Sequence, residues 1–247
     1  MKYSLTIGWL YPDLMSIYGD KGNIIALQKR CEWRGIAVTI KKISLDAPSS
    51  EIRSSDVLVM GGAQDSQQTI VAKDLVKKKE ALQEKIENGT PGLFVCGGFQ
   101  FLGKYYKEAD GGIIQQLGVL DMCTVNPGGK RLIGNISVDA STFFGRETML
   151  VGFENHGGRT KIGKAMKPLG TVIKGYGSNA EDGQEGAVYK NCIGTYLHGP
   201  ILPKNPILAD WLIQKALEKK YKKTIPLVQL DDSLAQKARE TVSEKML

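Results

Sequence analysis

The stretch Leu93–Gly103, LFVCGGFQFLG, decides the fold. An apolar run stops at Cys96, two glycines follow, and Phe99, Leu102, Tyr105 and Tyr106 then fall at helix-like spacing. The pattern predicts a strand, a sharp turn and a helix, with a thiol at the turn. Gly97 and Gly98 remove the side chains that would crowd such a corner, so the sulfur of Cys96 can stand clear while N–H groups of the helix start face it. The partial positive charge at a helix N-terminus lowers a cysteine pKa, and a nearby imidazole lowers it further. The competing reading is a small buried core residue before a glycine turn.

Upstream of this stretch, strand and helix patterns alternate. Leu5–Leu10 is a first strand, and a loop rich in Tyr, Pro, Asp and Gly runs to Asn23. Ile24, Ile25, Leu27, Gln28 and Cys31 then keep helical spacing up to Gly35. Ala37–Ile43 is a second strand, and Asp56–Met60 is an apolar run ended by Gly61 and Gly62, as in a strand covered on both faces. Thr69–Asn88 reads as one helix. This is the rhythm of an α/β, doubly wound, mostly parallel sheet, whose ligands sit at the carboxyl ends of strands. Gly61–Gly62 and Cys96 both fall at such ends.

After about Gly118 the texture changes to short β segments: Val119–Val125, Arg131–Val138, Met149–Glu154, Thr171–Lys174, Ala187–Tyr189 and Ile193–Leu197. They predict a β-rich insertion that returns a strand to the main sheet near Ile193. Pro203–Tyr221 and Asp231–Met246 read as C-terminal helices. The expected organisation is one main domain over residues 1–203, with a helical extension over 204–247 packed on it.

Composition narrows the class. In 247 residues, 33 basic against 26 acidic side chains leave a net charge of +7, concentrated in Lys73–Lys79 and Lys215–Lys223 on helix-like stretches. No aromatic interleaving or known module accompanies these groups, which argues against nucleic-acid binding and for solvated faces, with an acidic partner or peripheral proximity to an anionic membrane as the functional option. Four cysteines without a C-x-x-C pair suggest neither a zinc ribbon nor a dithiol redox site. The apolar run in MKYSLTIGWLYPD is too short for a signal peptide or membrane span, so a reduced, cytoplasmic setting is expected.

The residues themselves propose thiol chemistry, with Cys96 as nucleophile and one of two histidines as its base. His198 follows the apolar run Ile193–Leu197 and so sits at a strand end; His156 lies in a Gly-rich segment, ENHGG, read as a loop that orders a turn or lines a pocket. Val95–Cys96–Gly97–Gly98–Phe99–Gln100 resembles the nucleophile motif of class I glutamine amidotransferases. Gly194–Gly199, GTYLHG, resembles the histidine motif of their cobyric acid synthase branch, about a hundred residues further on. Phe153–Thr160 and Thr195–Asn205 resemble the amidotransferase subunits of lipid II isoglutaminyl synthases, and the likeness runs from the first strand to about Asn205.

The resemblance implies that Cys96 attacks glutamine through a thioester and that His198 is its base. It also implies that the N–H of Gly97 and one from the Gly61–Gly62–Ala63 turn receive the oxyanion. Gln100 matches the motif glutamine, with two readings: contact with substrate, or support of the helix start. A site for free glutamine needs a partner for its α-carboxylate, and a guanidinium suits best. Arg131 and Arg159 are candidates, and Arg131 aligns with an arginine of the resembled subunits. Most class I members carry a glutamate two residues after the histidine, where this chain has Pro200; the orienting group is then another carboxylate such as Glu154, or comes from outside the chain.

No G-x-x-x-x-G-K-[ST] motif is present, so no cofactor is expected in this chain, with ATP and magnesium expected in a partner. The resemblance implies that partner to be a Mur-ligase-like synthetase in a heterodimer, using the ammonia to amidate the D-glutamate α-carboxylate of lipid II in peptidoglycan. The alternatives are a DJ-1/PfpI-type cysteine hydrolase, which usually has histidine where Gly97 stands, and a flavodoxin-like binding module with an idle cysteine.

Overall fold

A computed structural model of the chain describes residues 2–17 and 19–244. In chain order, the strands are β1 (Tyr3–Leu10), β2 (Ile36–Ile43), β3 (Val57–Met60), β4 (Gly92–Val95), β5 (Tyr105–Lys107), β6 (Ile113–Gln115) and β7 (Met122–Val125). Then come β8 (Leu132–Asp139), β9 (Met149–His156), β10 (Arg159–Ile162), β11 (Gly170–Lys174), β12 (Gln184–Glu185), β13 (Ala187–Tyr189) and β14 (Cys192–Thr195). The helices are α1 (Lys21–Glu32), α2 (Ser49–Arg53), α3 (Asp65–Leu75), α4 (Lys79–Glu87), α5 (Gly97–Phe101), α6 (Ser141–Phe144), α7 (Ile201–Lys204), α8 (Pro206–Tyr221) and α9 (Ser233–Glu244).

Six strands form the main sheet in the order β13-β14-β4-β3-β1-β2, all parallel except the edge strand β13. Every residue of β3, β4 and β14 is buried, which requires cover on both faces and explains why these strands read as unbroken apolar runs. The chain steps from β1 outward to β2, then returns to the other side of β1 for β3 and β4. The loops after β1 and β3 therefore diverge from adjacent strands, which opens a crevice at the carboxyl end of the sheet. The doubly wound α/β class expected from the sequence is the one observed.

Between α5 and β14 the chain builds two further four-stranded sheets, β10-β7-β5-β6 and β12-β11-β8-β9. The β8–β9 pair runs in register from Leu132 opposite His156 to Asp139 opposite Met149. Phe153 of β9 also exchanges two backbone hydrogen bonds with His198, at 3.2 and 2.7 Å, so the insertion is bonded directly to the segment after β14.

Several boundaries differ from the sequence reading, each for a tertiary reason. The segment read as one helix over Thr69–Asn88 is split by a 3-10 turn at Val76–Lys78. Lys78 is turned inward there, bonding Asp74, which also accepts the Tyr11 hydroxyl at 2.9 Å, so the basic run is not wholly a solvated face. A buried ammonium is tolerated because it is paired. Helix α5 stops at Phe101 rather than continuing through Tyr105 and Tyr106, because Lys104 N–H bonds Met122 O at 2.8 Å and turns the chain into β5. The C-terminal helix breaks at Asn205, whose side-chain amide bonds both backbone groups of Val151. The last helix ends at Glu244, and Met246 of the expected span lies outside the described residues. Arg30, buried in α1, forks onto Asp210 of α8 and Asp232 ahead of α9, which fastens the C-terminal helices to the main body.

Candidate active site

Cys96 stands between β4 and α5 with φ 52° and ψ −109°, a strained conformation for a residue with a side chain. It is over-determined by its neighbours: its N–H bonds Thr195 O on β14, and its carbonyl accepts Gln100 N–H in the first turn of α5, both at 2.9 Å. The helix start lies so close to β3 that a Cβ on Gly98 would come within 3 Å of the carbonyl oxygens of Met60 and Gly61, which is why the second glycine of the motif is needed. This corner is the one the sequence predicts.

His198 follows β14 and is fully buried. A methyl group on Gly62 would lie 3.2 Å from Cys96 Cβ, 3.7 Å from its Sγ and 3.4 Å from His198 Cε1. The thiol and this imidazole therefore converge on Gly62, and the turn after β3 forms the floor between them. Burial, and then the nearby charges of His156 and Arg131, push the His198 pKa down to about 3. Its imidazole is neutral at physiological pH and can accept a proton.

His156 is not a loop residue. It is the last residue of β9, buried, with Nδ1 bonded to Gly158 O at 2.7 Å and its ring stacked on Tyr196 at 3.8 Å. The glycines that suggested a loop begin one residue later, and Gly158 supplies the carbonyl that His156 Nδ1 meets. Glu154 is also committed elsewhere. Its oxygens accept the N–H groups of Tyr176 at 2.7 Å and Gly177 at 3.0 Å, and its Oε2 lies 3.8 Å from His156 Nε2. Pro200, where most class I members carry a glutamate, packs on the glycine face of α1 at Gly22.

Gln100 donates to the Tyr196 hydroxyl at 3.0 Å, and that hydroxyl meets Thr160 Oγ1, which in turn meets Thr124 Oγ1. These bonds tie the first turn of α5 to the segment after β14 and to the insertion. Arg131 precedes β8 and donates from Nε to Asn155 Oδ1 and from Nη2 to Asn155 O, both at 2.8 Å, with Nη1 over Gly157. Arg159 instead braces the loops through Gly157 O and Lys130 O. Gly97 follows Cys96 and opens α5. The Gly62 N–H, however, is not simply open to the crevice: it donates to Asp20 Oδ2 at 3.0 Å.

Two buried acids near the crevice escaped the sequence reading. Asp20 is one. Glu185 is the other; it accepts from Thr195 Oγ1, Tyr196 N–H and Ser178 Oγ, and burial raises its pKa. Neither sits in a pattern that marks it, beyond Asp20's place before a helix start. Among the described residues no group of three or more His, Cys, Asp or Glu side chains could hold a metal ion, and no helix is long and apolar enough to cross a membrane.

Residues 6–206 match the family model for CobB/CobQ-like glutamine amidotransferase domains. Two similar proteins are subunits GatD of lipid II isoglutaminyl synthase (glutamine-hydrolyzing). That of Streptococcus pneumoniae is 43% identical over 98% of this chain and 92% of its own length, and that of Staphylococcus aureus is 45% identical over 88% and 86%. A cobyric acid synthase of Listeria welshimeri is 30% identical over 74% of this chain but 36% of its own length. Among solved structures, a chain of PurLQS from Thermotoga maritima superposes with a TM-score of 0.58 at 16% identity, covering 90% of this chain and 100% of that one. The glutaminase domain of Trypanosoma brucei CTPS with bound acivicin gives 0.56 at 12%, covering 91% and 97%. These two likenesses concern the fold alone, whereas the sequence matches run through the elbow, the Gly62 turn and the histidine segment: the chain belongs to the CobB/CobQ-like glutamine amidotransferase family.

Proposed function

We propose that this chain is the glutamine-hydrolysing subunit of a lipid II isoglutaminyl synthase, with Cys96 as nucleophile and His198 as its acid and base. The observation that carries the reading is the convergence of a strained Cys96 and a neutral His198 on the Gly62 floor, in a chain with 43% and 45% identity to two such subunits.

The chemistry follows from these groups. His198 takes the thiol proton of Cys96, and the thiolate attacks the side-chain amide carbon of L-glutamine, moving the carbonyl π electrons onto oxygen. Donors from Gly97 and from the Gly62 turn stabilise that oxyanion. Collapse breaks the C–N bond, the nitrogen leaves as ammonia with the proton returned by His198, and a γ-glutamyl thioester remains. Water, losing a proton to His198, attacks the thioester; the sulfur departs and recovers that proton, releasing glutamate. Arg131 pairs with the α-carboxylate of the incoming glutamine once its bond to Asn155 is exchanged.

The ammonia is used by a Mur-ligase-like synthetase partner in a cytoplasmic heterodimer, where ATP and magnesium activate the D-glutamate α-carboxylate of lipid II. The partner also supplies the group that fixes the His198 imidazole. Two observations support this: Pro200 offers no carboxylate, and Glu154 is bonded to Tyr176 and Gly177. The test is ammonia release from glutamine by the chain alone and with the synthetase, together with mass spectrometry of the Cys96 peptide after a covalent glutamine analogue. The reading expects a Cys96 adduct, turnover raised by the partner, and none in Cys96→Ala. A tenth of the wild-type rate surviving in Cys96→Ala would overturn it.

A further inference from the structure

Gly62 is held from behind by the segment that follows β1. Its N–H donates to Asp20 Oδ2 at 3.0 Å, and its carbonyl accepts Ile17 N–H at 3.2 Å. Asp20 also fills the space where a side chain on Gly61 would go, so the turn is seated on this carboxylate. The same segment carries the glycine face on which Pro200, two residues after His198, is packed. One short stretch of chain, at the point where the loops of β1 and β3 diverge, thus touches both sides of the crevice.

The contact has a chemical consequence. A backbone N–H makes one good hydrogen bond, and a donor engaged with a carboxylate is not available to an oxyanion. A carboxylate on the donor also repels negative charge that develops beside it. We propose that Asp20 is a positioning residue that restrains the glutaminase reaction: it holds the Gly62 N–H in the resting chain, and Asp20 must release Gly62 before Cys96 can be acylated. The inference rests on the glutaminase reading and deepens it.

The restraint is built to open. Asp20 is 1% exposed, yet among the described residues its Oδ1 has no hydrogen-bond partner, and burial raises its pKa to about 6. At neutral pH it is a buried carboxylate whose one donor among the described residues is the Gly62 N–H, and moving outward would return its charge to water. Rehydration therefore offsets the bond lost to Gly62, which makes release accessible without dismantling the sheet.

The test is steady-state ammonia release from L-glutamine by the purified full chain, comparing wild type with Asp20→Ala, Asp20→Ser and Asp20→Asn. Melting curves verify folding, and Cys96 labelling by a covalent glutamine analogue is followed in parallel. Alanine removes the acceptor, and serine is too short to reach Gly62 while remaining a good residue before a helix. Both should raise kcat by about tenfold or more, the scale of one charge-assisted hydrogen bond, with KM little changed. Asparagine still accepts the Gly62 N–H but carries no charge, so its kcat should rise, and by less than in the alanine and serine variants. Folded alanine and serine variants with kcat unchanged or lowered would overturn the proposal and make Asp20 a support rather than a restraint. If wild type neither releases ammonia nor labels at Cys96, alone or with the synthetase, the glutaminase reading itself fails and this inference falls with it.

Discussion

Replacing Gly62 by alanine tests the catalytic crevice with a single methyl group. The added carbon would stand 3.2 Å from Cys96 Cβ, 3.4 Å from His198 Cε1 and 3.7 Å from Cys96 Sγ. Carbon contacts are most favourable at about 3.5–4.0 Å, so the first two neighbours must each yield by a few tenths of an ångström. The methyl also occupies the gap across which thiol and imidazole must exchange a proton and admit the amide carbon. A misplacement of about 1 Å at a reacting centre costs on the order of a hundredfold, so a shift of a few tenths of an ångström together with the filled gap sets a predicted loss in kcat of about tenfold. Stability should hardly change. Mild overpacking costs about 1 kcal/mol, and exchanging glycine for alanine at a compatible backbone position recovers about 0.4–1 kcal/mol through the unfolded chain. The assay is ammonia release at saturating glutamine beside a thermal melt. A Gly62→Ala protein that keeps a third or more of wild-type kcat with an unchanged melt would refute the placement of Gly62 between Cys96 and His198.

The two histidines should separate in kinetics. His198→Ala is predicted to lower the chemical step by about 10²–10⁴-fold, the usual contribution of a positioned acid or base, whereas His156→Ala should mainly reduce stability through the lost Tyr196 stack; equal losses in kcat would remove the distinction. The depressed His198 pKa also gives a sign for acid stability. Between about pH 6.5 and its folded value near 3 the unfolded chain binds a proton that the folded chain refuses, so this residue makes stability fall as pH falls. Urea midpoints at about pH 4 and about pH 6 should differ less in His198→Gln than in wild type; an identical pH dependence would contradict the assignment. Arg131→Ala should raise the glutamine KM strongly while leaving kcat within a few fold, and an unchanged KM would end its role at the α-carboxylate.

The legible part of the chain was the part whose cause is local. In Leu93–Gly103 the strand, the glycines and the helix start are adjacent in sequence, and each side chain's environment follows from its neighbours. The Asp56–Gly62 and Ile193–His198 runs were legible for the same reason, whereas the choice of His198 over His156 came from the likeness of Gly194–Gly199 to a known histidine motif. The failures have long-range causes. Tyr105–Lys107 is a three-residue strand whose identity depends on pairing with β6 and β7. Lys78 looks like any member of a lysine run until Asp74 and Tyr11 are brought round it. The burial of His156 depends on Tyr196, forty residues away in sequence. Asp20 could not be linked to Gly62 without the adjacency of β1 and β3.

The two-way bridge between Phe153 and His198 bears on how such a domain can be divided. The thiol belongs to the parallel sheet, held by β4, β14 and α5, whereas the backbone of the imidazole is fastened to a strand of the insertion. A trimmed protein in which residues 119–186 were looped out would keep its elbow and lose the hook on which His198 hangs. The insertion is accordingly a jaw of the crevice and not an ornament on its rim. Remodelling β8 and β9 would shift His198 while leaving Cys96 untouched, so the two sides of the crevice can drift apart in sequence at different rates.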